Sequence, residues 1–199
     1  MKQGFYDYEY FVDGKKGGAG ILDTDAISIV KRLKTWGVKE FFDMGCGIGC
    51  LIAEARRQGI DAYGCDFSKY AVEWSDPEAK PYMFLQDITK PIKAELIGKK
   101  FEWVLLYEVL EHLENEEQVR SAMENALKIV SPIGKIYCLI CLEPRHDESS
   151  HHFLCSRDWW LEFFKGYELH DISKHYFEGM GEITITKVAR DELFILERI

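Results

Sequence analysis

The chain has 199 residues, 47% of them hydrophobic and 30% charged, which suits one ordinary globular domain with a well-filled core. Its 25 Lys and Arg against 34 Asp and Glu leave a formal charge of −9, which argues against the basic face that a large nucleic-acid footprint needs. No run approaches the roughly 20 apolar residues of a membrane-spanning helix, and no leader-like apolar segment opens the sequence.

Residues 1–22 carry a dense aromatic and acidic run, Phe5 to Phe11, then Gly14, Gly17 and Gly18. This is not a core pattern. It reads as an N-terminal arm that orders over a site, ahead of a single domain at 23–199. A helix is expected from a cap at Asp23 or Thr24 to about Trp36, with Ile27, Val30 and Leu33 at helical spacing and a stop near Gly37.

Strands and helices then alternate. Strands are expected at 39–44, 62–66, 82–86, 102–107 and 135–142, and helices at 50–58, 68–74, 116–130 and 157–164. Two further strands are expected at 167–171 and 192–198. Short apolar strands alternating with helices imply a parallel sheet covered on both faces. In the helix at 157–164, one of Trp159 and Trp160 is expected to press into the core, leaving the other free to stack on a ligand.

Six cysteines raise the question of disulfides or zinc. Cys46 and Cys50 flank a glycine turn, and Cys138 and Cys141, three apart in a strand, face opposite ways. Reduced thiols in a cytosolic protein fit this placement best.

The chemistry concentrates at strand ends. Asp43-Met44-Gly45-Cys46-Gly47-Ile48-Gly49 joins the first of these strands to its helix, so that backbone meets a ligand where no Cβ intervenes. Position 50 is Cys50 and not glycine, which departs from the G-x-G-x-x-G of nicotinamide dinucleotide sites. Asp66 ends the second strand at the interval expected of an acid that accepts from both ribose hydroxyls, although it or Ser68 can also cap the next helix. Asp87 follows the third strand, where an acid can accept from an exocyclic amine while Ile88 packs on a ring. The fourth strand runs into Tyr107-Glu108-Val109-Leu110-Glu111-His112.

From Lys39 onward this order of motifs resembles the Rossmann-like S-adenosylmethionine methyltransferases. The resemblance implies an α/β fold: a three-layer α-β-α sheet, mostly parallel, with an antiparallel last strand and a reversal of strand order beside the first strand. It implies a cofactor-binding set of Asp43, Gly45, Cys46, Gly47, Asp66, Phe67, Asp87, Ile88 and Tyr107. Asp43 would hold the amino group, Asp66 the ribose, Asp87 with Ile88 the adenine. The segment from Leu106 to Glu108 would open into the acceptor pocket.

Several readings of the site remain open at this level. His112, with an ordinary pKa near neutrality, is the candidate base for an oxygen acceptor, with Glu108 beside it. If Glu108, Glu111 and His112 share one helix face, they form with His151 a candidate divalent-metal set, as in the small-RNA 2′-O-methyltransferases and the ubiquinone-pathway O-methyltransferases. The segment from Arg145 to His152 supplies that fourth ligand. Alternatively Glu and His scaffold the loop. The fourth strand is not followed by an Asn/Asp-Pro-Pro-Tyr/Phe motif, which favours oxygen over nitrogen. The expected function is O-methylation of a small-molecule or saccharide hydroxyl by a cytoplasmic monomer or homodimer. A metal-dependent RNA ribose methyltransferase and a non-catalytic S-adenosylmethionine-binding regulator are the alternatives.

Overall fold

A computed structural model describes residues 5–11, 23–143, 150–177 and 192–198. The glycine-rich part of the arm, most of the segment 145–152 and the side chains of Asp23 and Thr24 lie outside the described residues.

After a short α1 (Tyr8–Phe11) and α2 (Asp23–Thr35), the chain alternates through β1 (Glu40–Met44), α3 (Cys50–Arg57), β2 (Asp61–Asp66), α4 (Lys69–Glu73) and β3 (Met83–Leu85). It continues through α5 (Ala94–Ile97), β4 (Phe101–Tyr107), α6 (Glu116–Ile129), β5 (Val130–Leu139), α7 (Arg157–Lys165), β6 (Leu169–Asp171), α8 (Ser173–Phe177) and β7 (Leu193–Arg198). Single 3-10 turns sit at Lys80–Tyr82 and Leu110–His112. The helices α5 and α8 are too short to show a period in the sequence.

The seven strands form one sheet in the order β3-β2-β1-β4-β5-β7-β6. The strand β1 pairs in parallel with β2 on one side and β4 on the other, so the order reverses there. The expected antiparallel last strand is present: β7 lies between β5 and β6 and is antiparallel to both.

Side chains alternate across the strands into two cores. Phe42, Met44, Val104, Leu106, Ile136 and Cys138 meet the inner faces of α6 and α7. Phe41, Ala62, Trp103, Leu105, Tyr137 and Leu139 meet α2 and α3 on the other side. Apolar residues on both faces of each central strand are what a covered parallel sheet demands. Three layers result, as expected.

The fifth strand departs from its expected start at Lys135. It begins at Val130, directly after α6, and the register against β4 shifts between Phe101 and Trp103. Pro132 cannot donate to a ladder, and Ile133 is 90% exposed, so the first half of this strand bulges away before regular pairing resumes.

The far edge of the sheet is stapled by one arginine. Arg157, at the start of α7, donates to Asp171 Oδ2 at 2.5 Å and to the Leu193 carbonyl at 3.2 Å, joining α7, β6 and β7. Behind it, Trp160 is fully buried among Phe153, Phe163 and Phe164, whereas Trp159 is half-buried and stacks on Phe163. The two tryptophans divide as their positions on the helix predict. Trp160→Ala is expected to cost about 3–5 kcal/mol of stability and Trp159→Ala distinctly less. Urea denaturation monitored by circular dichroism measures both.

Candidate functional site

The C-terminal ends of β1, β2 and β4 converge where the strand order reverses, the place where open α/β sheets leave a crevice. The glycine loop leaves β1 here. Its backbone turns back on β2: the amides of Gly45 and Cys46 both donate to the Cys65 carbonyl, at 2.8 and 3.0 Å. Gly45 has φ +90°, and a Cβ there would meet Val109 at 2.4 Å. Gly47 has φ +55°, and a Cβ there would press on the Phe11 ring at 3.2 Å. Both positions are left-handed and closed in, so glycine is required twice over.

Two acids lie beneath the loop. Asp43 is 1% exposed, and neither carboxylate oxygen accepts a hydrogen bond among the described residues. Burial, and then the charge of Asp66, pushes its pKa up to about 7. Asp66 is also buried, but it is well bonded: Gly47 N donates to Oδ2 at 2.9 Å and Ser68 N to Oδ1 at 2.7 Å. Burial raises its pKa to about 6, opposed by those backbone bonds. Cys46 is buried beside the pair, its thiol pushed far up first by burial and then by Asp43 and Asp66. An unpartnered carboxylate under a Cβ-free loop fits an ammonium group, which would supply the missing donors.

Ser68 settles the alternative raised for Asp66. The serine, not the aspartate, caps α4, accepting from Ala71 N at 3.1 Å. Its hydroxyl also donates to the Tyr6 carbonyl at 2.7 Å. The arm is thereby held over the loop. Tyr6 packs edge-on against Phe67, with ring centroids 5.1 Å apart, and lies 6.3 Å from His112. Phe11 lies over Gly47 and stacks on Tyr70. Burial, then Asp66 and Glu111, pushes the Tyr6 phenol up to about 12. The aromatic density of the first residues was the legible signal for this packing; its partner Tyr70 carried no signal in the sequence.

The turn after β4 departs from the expected helix. Glu108 has φ +50°, and only Leu110–His112 form a single 3-10 turn, so Glu108, Glu111 and His112 do not share a helix face. Glu111 is fully buried, and its Oε1 accepts from Cys141 N at 2.8 Å. Its carbonyl accepts from the amides of His152 and Phe153, at 2.8 and 3.0 Å. The ring of His151 meets that of His112 edge-on, centroids 4.7 Å apart. Among the described residues no three His, Cys, Asp or Glu gather as a metal-ligand set. The structure therefore corrects the expected shared face: Glu111 is drawn into the core to tie two loops together.

His112 departs from its expected pKa as well. Burial, then the neighbouring His151, lowers it to about 4. Its Nδ1 lies 3.1 Å from the Ser150 carbonyl. A neutral ring donates through that nitrogen and keeps a lone pair on Nε2.

Tyr107 points to the α2 side, stacked on Tyr137 with ring planes 7° apart. Asp87 is half-buried, and its Oδ1 accepts from Thr89 N and Oγ1. Ile88 is buried in the core on the α6 side.

The comparisons agree with this fold. The family described as a methyltransferase domain matches residues 21–178. The fold is similar to that of the CcbJ methyltransferase from Streptomyces caelestis, at TM-score 0.71 and 11% identity, over 100% of this chain and 99% of that one. It is similar to the sugar N-methyltransferase KedS8 from Streptoalloteichus, at TM-score 0.65 and 14% identity, over 96% and 92% of the two chains. It is similar also to magnesium protoporphyrin IX methyltransferase from Synechocystis with bound S-adenosylmethionine, at TM-score 0.64 and 15% identity, over 100% and 98%. Of some other matched structures the chain spans only 53–60% of the length. No curated protein matches it in sequence. No helix among the described residues is long and apolar enough to cross a membrane.

The buried acid sets a pH dependence with a definite sign. Asp43 titrates near 3.8 unfolded and about 7 folded, so the folded state holds the extra proton between these values. Its contribution to stability therefore falls as pH rises through that window. His112, shifted down to about 4, acts with the opposite sign below its ordinary 6.5. Asp43→Asn isolates the first effect. The ligand-free variant is expected to exceed the parent by a few kcal/mol at pH 8, at ~1.4 kcal/mol per pKa unit, and to match it near pH 4. Urea denaturation at the two pH values is the measurement.

Proposed function

The chain belongs to the methyltransferase-domain family, and from that premise we propose that it moves the methyl group of S-adenosylmethionine to a hydroxyl oxygen of a small metabolite or saccharide. The observation that carries this reading is Asp43, buried and without a donor beneath a loop that has no Cβ to spare. In this reading Asp43 holds the ammonium of the methionyl part. Gly45 and Gly47 let the backbone approach it, and Asp66 accepts from the ribose hydroxyls with lone pairs left over from its two amide bonds. Asp87 receives the adenine amine.

The sulfonium supplies an already activated methyl group. What remains for the chain is alignment and a place for the acceptor proton. His112 supplies the second: with Nδ1–H given to Ser150, its Nε2 accepts from the acceptor hydroxyl and orients the oxygen. As the C–O bond forms and the S–CH3 bond breaks, the hydroxyl proton becomes strongly acidic, so Nε2 takes it even with a pKa of about 4 and passes it to solvent. The arm closes the site, with Tyr6 between the Asp66–Phe67 side and the Glu111–His112 side. As a lid it keeps water from the transfer point.

Asp66→Ala is expected to weaken S-adenosylhomocysteine about tenfold to a hundredfold by titration calorimetry, the loss of one or two charge-assisted hydrogen bonds. Undiminished affinity would remove the ribose assignment. The affinity of the parent is expected to rise roughly tenfold between pH 6 and pH 7.5 as Asp43 ionises to meet the ammonium, and Asp43→Asn to flatten that rise. Transfer of isotope-labelled methyl to a panel of hydroxyl and amine acceptors tests the reaction. Labelling confined to amines would overturn the oxygen assignment.

A further inference from the structure

The helix α6 carries a misfit. Its buried stripe is Val119, Ala122, Met123, Ala126 and Ile129, yet Asn125 lies among them at 3% exposure. Asparagine inside a helix is unfavourable, and a buried amide needs partners. Asn125 finds them outside its own helix. Its Nδ2 donates to the carbonyls of Ile88 and Lys90, at 2.8 and 2.7 Å. Its Oδ1 accepts from Lys128.

Those carbonyls belong to the turn after β3, which bears Asp87. A second buried amide grips the same turn: Gln86 Nε2 donates to the carbonyls of Asp87 and Pro91, at 2.6 and 3.5 Å, while its Oε1 accepts from Lys93 N. Two side-chain amides thus hold the carbonyls of residues 87, 88, 90 and 91, in a stretch with no strand partner. With the backbone fixed, Asp87 spends Oδ1 on Thr89, and Oδ2 accepts no hydrogen bond from the described residues.

We propose that Asn125 is a positioning residue for adenine recognition, setting through the Ile88 and Lys90 carbonyls where Asp87 presents its remaining oxygen. The chemistry selects the residue type. A side-chain amide puts two N–H groups on one neutral atom. Aspartate donates none, serine one, and a lysine here would bury a charge. The inference rests on the reading of Asp87 as the acceptor of the adenine amine.

Calorimetric titration with S-adenosylhomocysteine and with S-inosylhomocysteine, whose 6-oxo ring lacks that amine, tests it. The parent is expected to favour the adenine ligand about tenfold, the worth of one hydrogen bond to a charged acceptor, and Asp87→Ala to abolish the preference. In Asn125→Ala the preference is expected to shrink to about twofold, through weaker binding of the adenine ligand alone. A variant that only loosened the fold would lose both ligands alike, and that result, or an unchanged preference, overturns the proposal. Gln86→Met removes the other two donors without adding charge and reads the same ratio should Asn125→Ala fail to fold. If the parent itself shows no preference, the reading of Asp87 fails first, visibly before any Asn125 variant is made, and the proposal falls with it.

Discussion

Two carboxylates, Asp43 and Asp66, are held out of water at the ends of adjacent parallel strands, and the surrounding architecture is arranged around that cost. Their strands pair in register, Asp43 opposite Gly64 and Met44 opposite Cys65, so both chains arrive together at the crevice. Asp66 is compensated by backbone donors; Asp43 is not. The glycines at 45 and 47 bring amide groups to the place where side chains would otherwise fill the space. A buried carboxylate without donors is unfavourable, and a cation placed beside it would offset that cost.

The turn after β4 is organised by a different device. Glu111 joins the turn after β4 to the segments on either side of the undescribed stretch: its carboxylate takes the amide of Cys141, its carbonyl the amides of His152 and Phe153. One buried residue therefore fixes the spacing between His112 and the chain that leaves β5. Ser68 does the same beside the glycine loop, joining α4 to the arm. Neither residue needs to touch a ligand to matter, because each decides where its neighbours lie.

The sequence and the structure agree best where periodicity and punctuation coincide. The run from Phe41 to Gly49 announces strand, turn and helix at once, and the acids at 43, 66 and 87 mark strand ends by position. Length and burial explain the failures. The helices at 94–97 and 173–177 are single turns without a period. The expected helix face at 108–112 failed because Glu108 adopts a left-handed backbone, which the identity of a glutamate does not announce. The pKa of His112 was misjudged because burial is a property of the packed loops and not of the histidine. Asn125 was legible in principle, as one amide on an apolar helical stripe, but only the fold shows which carbonyls it was meant for.

The position of β7 has a consequence for biosynthesis. The strand that fills the slot between β5 and β6 is the last of the seven to be made. Until it emerges from the ribosome, Tyr137, Cys138 and Leu139 present an apolar edge with open hydrogen-bonding groups, and Asp171 lacks the Ile195 amide that it later accepts from. The nascent chain carries that open edge from the completion of β5 until β7 is made, an interval in which an unpaired edge invites wrong pairing. Closure is then a single late event, in which one strand inserted between two neighbours completes the sheet.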